Sequence, residues 1–363
     1  MNRLFYTLVL LNMFVNTLIY VPAQLIQHRL QGAVMGILLG TVISFILMLV
    51  LSISLNKTPK QGLPELLNKA PKWLKVVVLV SLSCMWFLAG ANTLLGFNNI
   101  VNRYMNPEIS EIHMVTVFSL MIIMALVKLS TVKVLYVVEM IVILNIPISI
   151  LVLTLSYTNN YISWHSVLEV SSYISKWPDW SSLSAAATYV FSGYANMIVF
   201  NRVFDKRVNV KWLWPLLLLG LFQLTTIFFM PIGFHGVDGV GDLKFPWITT
   251  VDSLRMELAP IERVTTIFLI SYVSLAIVSV IVHWHVAFEL LKGTVKTRPK
   301  LGNLNFMLRR IVFIIFGVAA WFMEKNMREE NIKAFGEAWL QIRLPFEILL
   351  VIVLLFLTRR RAA

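Results

Sequence analysis

The chain is built from apolar runs of about 20 residues, each long enough to cross a hydrocarbon core of roughly 30 Å as a helix, divided by short polar breaks. Repetition at that length leaves few folds open. In lipid, every backbone N–H and C=O must find a partner inside the protein, which only helices and closed barrels achieve. The runs lack the period-two alternation of barrel strands, so they predict helices. Composition agrees: 13% of the 363 residues are charged, against about 25% in a soluble domain, and mean hydropathy is +0.78. The first run continues to about Val21 without a small-x-small cleavage site and reads as a retained span. Cys84 is the single cysteine, which excludes an internal disulfide.

The expected fold is an all-α polytopic membrane protein with ten transmembrane helices, forming one transmembrane domain over 1–363. The spans are predicted at about 4–26, 32–55, 74–100, 113–130, 132–156, 183–203, 212–234, 263–291, 308–323 and 342–358. Charge tests that count. With the N-terminus cytoplasmic, most of the 31 Lys and Arg fall inside: Arg3, Lys57 to Lys75, Lys128 and Lys133, Arg202 to Lys211, Lys292 to Arg310, and Arg359 to Arg361. The acids lie mainly on the opposite side, so the positive-inside rule holds loop by loop, with both termini cytoplasmic. The net charge of +13 is thereby explained without nucleic acid.

No catalytic set is present in the sequence. The six histidines show no metal-ligand spacing, and Gly236 to Gly241 lacks the strand and lysine of a phosphate loop. The chain therefore reads as no enzyme, with no metal and no cofactor. Polar and helix-breaking residues inside spans are more informative, because in lipid they face a protein interior or a wet cavity. Span one carries Asn12, Asn16, Thr17 and Pro22; span three carries Asn92, Asn98 and Asn99; span six carries Ser192, Gly193 and Tyr194. The candidate breaks fall in the first members of two five-helix halves, about 4–156 and 183–358. Five is odd, so the halves are inverted, and inverted repeats with broken first helices are a transporter architecture. Pro147 and Pro345 echo the symmetry.

Two acids lie within spans. Glu139 is either a candidate for an ion or proton path or a buried hydrogen-bonding group; Glu347 is expected to pair with Arg343 at i,i+4. In the outer loop, about 235–262, Phe245 and Pro246 precede Trp247, Val251, Leu254 and Leu258 at helical spacing, an amphipathic helix over the outer face. Pro64 to Lys75 reads as an interfacial helix or a lysine-rich loop.

These features resemble the endospore germination permeases, the B subunits of spore nutrient germinant receptors in the amino acid–polyamine–organocation superfamily. The residues that carry the resemblance are Val21-Pro22, the basic segment before span three, Glu139 with Pro147, Phe245-Pro246, and Ile261-Glu262-Arg263. Val15-Asn16-Thr17 stands where the superfamily has a glycine pair, and Tyr194-Ala195 where many relatives carry an acid. The resemblance implies a LeuT-like 5+5 inverted repeat in the spore inner membrane, with A-type and C-type receptor subunits as partners. It also implies a small nutrient (amino acid, sugar or similar) bound near Asn16, Thr17, Asn92, Ser192, Gly193 and Tyr194. Pro22, Phe245, Pro246, Glu262 and Arg263 would be structural or gating residues. A secondary transporter of amino acids or amines coupled to H⁺ or Na⁺, or a channel subunit, would use the same features.

Overall fold

The computed structural model describes residues 2–190, 192–256, 262–295 and 302–359, and within them the chain is helical. Helices α1 (Asn2–Asn16) and α2 (Val21–Gln27) are followed by α3 (Ala33–Asn56), the single turn α4 (Leu63–Leu66), α5 (Lys72–Tyr104), α6 (Glu111–Lys128) and α7 (Thr131–Tyr157). Then come α8 (Trp164–Ser171), α9 (Trp180–Val190), a 3₁₀ stretch Ser192–Asn196, α10 (Met197–Phe200), α11 (Trp214–His235), α12 (Pro246–Asp252), α13 (Val264–Lys292), α14 (Gly302–Asn326) and α15 (Glu329–Arg359). Among the described residues, eight helices are long and apolar enough to cross a membrane, or up to ten if each of two bent pairs is one span. The bent pairs are α1 with α2, at 55°, and α9 with the segment Ser192–Val203, at 60°. They are the predicted spans one and six.

Each bend has a local cause. Thr17 turns its hydroxyl back to the Met13 carbonyl at 2.9 Å, and its N–H reaches Phe14. Pro22, lacking an N–H, sits in the first turn of α2, where no intrahelical donor is needed. In span six the Ser192 hydroxyl donates to the Thr188 carbonyl, and Asn196 Nδ2 donates to the Gly193 carbonyl at 3.2 Å. These side chains take up carbonyls that a continuous helix would have satisfied.

Tight crossings build the bundle. On α3, Gly36, Gly40 and Ser44 recur every four residues and face α9. A Cβ at Gly40 would lie 2.7 Å from Ala186 Cβ, and the Ser44 hydroxyl donates to the Ala187 carbonyl. This is the small-xxx-small packing of membrane helices, where close backbones replace a hydrophobic drive that lipid cannot supply. On α5, Gly90 makes room for the buried Trp284 indole of α13; a Cβ there would lie 2.5 Å from the indole ring. The outward faces of α6, α7 and α14 expose Leu120, Met124, Ile143, Leu144, Ile314 and Val318, as a lipid-facing surface requires.

Loops meet in two groups. At the basic end Lys60 pairs with Asp205 at 2.8 Å, and Arg202 bridges Glu65 at 3.0 Å and Glu289 at 2.7 Å. At the other end Arg29 donates to the Val237 carbonyl, Lys176 to the Leu30 carbonyl, and Glu329 accepts from both Arg103 and Lys244. This grouping matches the alternation of ten spans.

Four segments differ from expectation. The polar break expected from Glu324 to Arg343 shrinks to Met327 and Arg328: α15 starts at Glu329, because Ile332, Gly336 and Trp339 recur on one buried face. The stretch Tyr157 to Ser181 contains an unanticipated helix, α8, with Trp164, Leu168, Trp177 and Trp180 exposed as in an interfacial belt. Of the outer-loop helix, α12 is described and is packed inward, with Trp247, Ile248 and Val251 buried; Leu258 and Pro260 lie outside the described residues. In the segment from Pro64 to Lys75, a turn of helix is buried through Leu63, Leu66 and Leu67, and the extended Ala70 and Pro71 separate it from α5, whose first turn carries the exposed Trp73.

Candidate functional site

The two breaks face each other. Asn12 Nδ2 on α1 donates to the Ser192 hydroxyl at 3.2 Å, across 180 residues of sequence. Gly193 lies against the α1 backbone so closely that a Cβ there would be 2.3 Å from the Leu8 carbonyl oxygen. Tyr272 of α13 donates to the Val15 carbonyl at 3.3 Å, meeting a group freed where α1 ends. Trp86 Nε1 of α5 donates to Asn196 Oδ1 at 2.7 Å. Spans one, three, six and eight thus converge through polar groups in an apolar core.

The predicted residues do not share one cavity. Thr17 accepts from Gln223 Nε2 at 3.2 Å and lines a cavity of about 30 Å³ with Phe14, Trp247, Ser271 and Tyr272. Tyr194 turns the other way: its hydroxyl donates to Glu347 Oε2 at 3.2 Å, while Arg343 Nε donates to Oε1 at 2.9 Å. Arg343 and Glu347 border a second cavity of about 30 Å³, with Trp86, Ala195 and His283. The His283 Nδ1–H donates to the Ser279 carbonyl at 2.7 Å, which leaves Nε2 as an acceptor; it has no partner among the described residues. Asn92 is buried, with its backbone carbonyl accepting from the Tyr20 hydroxyl at 3.4 Å. Asn16 is half-buried at the end of α1. The cavities have room for water, not for a nutrient the size of an amino acid.

The other predicted residues take no part in the contact between the two breaks. Glu139 pairs with Arg3 at 2.8 Å. Phe245 stacks edge-on to Tyr104 and lines a third cavity of about 40 Å³ with Tyr20, Gly96, Asn99 and Glu329. Pro246 opens α12. The Glu262 carbonyl accepts from the Met256 N–H at 3.0 Å, and Arg263 precedes α13; both residues are exposed, and Ile261 lies outside the described residues.

Residues missed at the sequence level include Trp86, Gln223, Tyr272 and His283. Their signal was weak, since single aromatic or polar residues in long apolar runs carry no periodicity. Tyr20 is seated between two glycines: a Cβ at Gly96 would lie 2.9 Å from its hydroxyl, and one at Gly336 would lie 2.4 Å from its ring. Gly336→Ala is expected to cost about 1–3 kcal/mol by overpacking. Tyr20→Leu should relieve it, giving a non-additive double mutant in thermal unfolding of the purified protein.

The arrangement defines a polytopic helical membrane protein with polar groups buried in its interior, some of them where two bent helix pairs meet. A family model described as spore germination protein matches residues 2–328, and the chain belongs to that family. It is accordingly a germinant-receptor-like membrane protein of the spore germination permeases. No curated protein matches it.

Proposed function

We propose that the chain is the membrane subunit of a spore nutrient germinant receptor, working with A-type and C-type subunits in the spore inner membrane. The N- and C-termini are cytoplasmic in this reading, and the halves 4–156 and 183–358 form a LeuT-like 5+5 inverted repeat. A small nutrient binds where the breaks of spans one and six meet, between Asn16, Thr17, Asn92, Ser192, Gly193 and Tyr194. The observation that carries this reading is the joint between the breaks, with Asn12 on Ser192 and Gly193 against Leu8. Separating the two helix ends would free donors and acceptors for a polar ligand. The small cavities of the closed packing require such a movement, and a nutrient that binds the opened form tenfold better shifts the balance by about 1.4 kcal/mol. Pro22 and Phe245-Pro246 set the outer side of that movement, and Glu262-Arg263 anchor its loop. Glu139 is assigned to an ion or proton path, with Arg3 as the group that must release it.

Gly193→Leu places a side chain into the α1 backbone. Spores carrying it are expected to contain the protein in the membrane yet lose the nutrient response; normal germination kinetics on a nutrient panel would sink the assignment. Labelled-solute uptake into proteoliposomes separates sensing from transport: accumulation driven by an ion gradient would make the chain a secondary transporter.

A further inference from the structure

Three acids of the bundle have basic partners: Glu139 with Arg3, Glu289 with Arg202 and Glu347 with Arg343. Glu324, near the end of α14, is only 5% exposed and pairs with no Lys, Arg or His among the described residues. Its Oε1 accepts from Asn98 Nδ2 of α5 at 2.9 Å. The same nitrogen donates its second hydrogen to the Glu111 carbonyl at 3.1 Å. That carbonyl can only accept, which fixes the orientation of the Asn98 amide. Two buried oxygens are left over, Glu324 Oε2 and Asn98 Oδ1, each without a partner. Both are acceptors while the carboxyl is ionised. A buried carboxylate with neither counter-charge nor full hydrogen bonding is costly.

We infer that Glu324 is a proton-binding site, and that its carboxylic acid forms a two-bond pair with the Asn98 amide, Oε2–H donating to Oδ1. One proton removes the unpaired charge and satisfies both orphaned oxygens. Glu111 of α6, whose carbonyl shares the Asn98 amide, brings a second carboxylate to the same junction, and its like charge opposes ionisation of Glu324. Among the described residues no cation pairs with Glu324: Lys325 lies over the Trp321 ring, Arg103 pairs with Glu329, and Lys333 lies 3.8 Å from Glu337. The proton therefore latches α14 to α5, and losing it sets two carboxylates against each other where α14, α5 and α6 meet. This site is separate from the nutrient reading and does not depend on it.

The test uses the purified full-length chain in nanodiscs. Infrared spectra of the wild type between about pH 5 and 8 should contain a protonated carboxyl stretch that is missing from Glu324→Gln. The latch exists only while the proton is bound, so its contribution to stability is full in acid and lost as Glu324 is deprotonated at higher pH. Over that window the unfolding constant should rise up to about tenfold per pH unit. In Glu324→Gln, whose amide supplies the second donor at every pH, that component should vanish. If Glu324→Gln fails to fold, Asn98→Leu serves: the stretch should shift as its acceptor is lost. The inference is overturned by a carboxyl band identical in wild type and variant, or by equal pH slopes. It is also overturned if Na⁺ or K⁺ at constant pH stabilises the wild type alone, which would make the site a cation site.

Discussion

Replacing Arg343 by Met is expected to destabilise the folded bundle by about 3–5 kcal/mol, the largest single effect in the molecule. Glu347 is 4% exposed, and the guanidinium at 2.9 Å is its charge partner; the Tyr194 hydroxyl at 3.2 Å is the only other hydrogen bond it receives among the described residues. Removing Arg343 leaves a buried carboxylate with one neutral donor, and the loss is mostly the cost of that stranded charge. The double variant Arg343→Met with Glu347→Leu should recover much of the stability, because it removes both charges and fills the space. Thermal unfolding of the purified protein in detergent, run on both singles and the double, checks this. Additive losses would mean that the pair is not coupled as its geometry requires. Because Glu347 also holds Tyr194, Arg343→Met should alter the break of span six as well, and reduce the nutrient response of spores.

The second large effect is at Gly40. On an exposed helix, Gly→Ala gains about 1 kcal/mol from backbone entropy. Here the added methyl would sit 2.7 Å from Ala186 Cβ and 2.8 Å from the Ala187 nitrogen, so α3 and α9 must separate. Overpacking of that kind costs about 1–3 kcal/mol and outweighs the helix gain. Gly40→Leu should cost more, and Ala186→Gly should rescue only part of Gly40→Ala, since the Ala187 backbone remains. Val42→Leu, on the exposed face two residues away, is the control and should leave the unfolding midpoint unchanged. Equal midpoints for Gly40→Ala and Val42→Leu would show that the crossing is looser than its distances.

Sequence reasoning reached the membrane helices, the two sets of loops, and the irregular places in spans one and six. The positions Asn16-Thr17 and Ser192-Gly193 were legible because a glycine, a proline or a polar residue is conspicuous inside an apolar run. Several features stayed hidden. The length of α15 was missed because Glu329, Glu330, Lys333, Glu337 and Arg343 looked like a loop; they are the polar faces of a helix whose other side packs on the bundle. Helix α8 was missed because eight residues hold little periodic signal. Glu347 was expected to meet Arg343, which lies one turn away, but not Tyr194, which lies 153 residues away.

The division has a physical basis. Lipid acts on the chain locally, charging every polar group by its depth, so span length, the sidedness of basic loops and the sites of helix breaks are written in short windows of residues. Pairings inside the bundle depend on which helices cross and how closely. Only tertiary structure decides that Asn12 meets Ser192, that Gly193 touches Leu8, and that Thr17 and the Glu347 partner of Tyr194 border different cavities. The same holds for Glu324: the sequence marks it as an acid at the end of an apolar run, and the fold alone sets it against Asn98, 226 residues away, with two oxygens waiting for one proton.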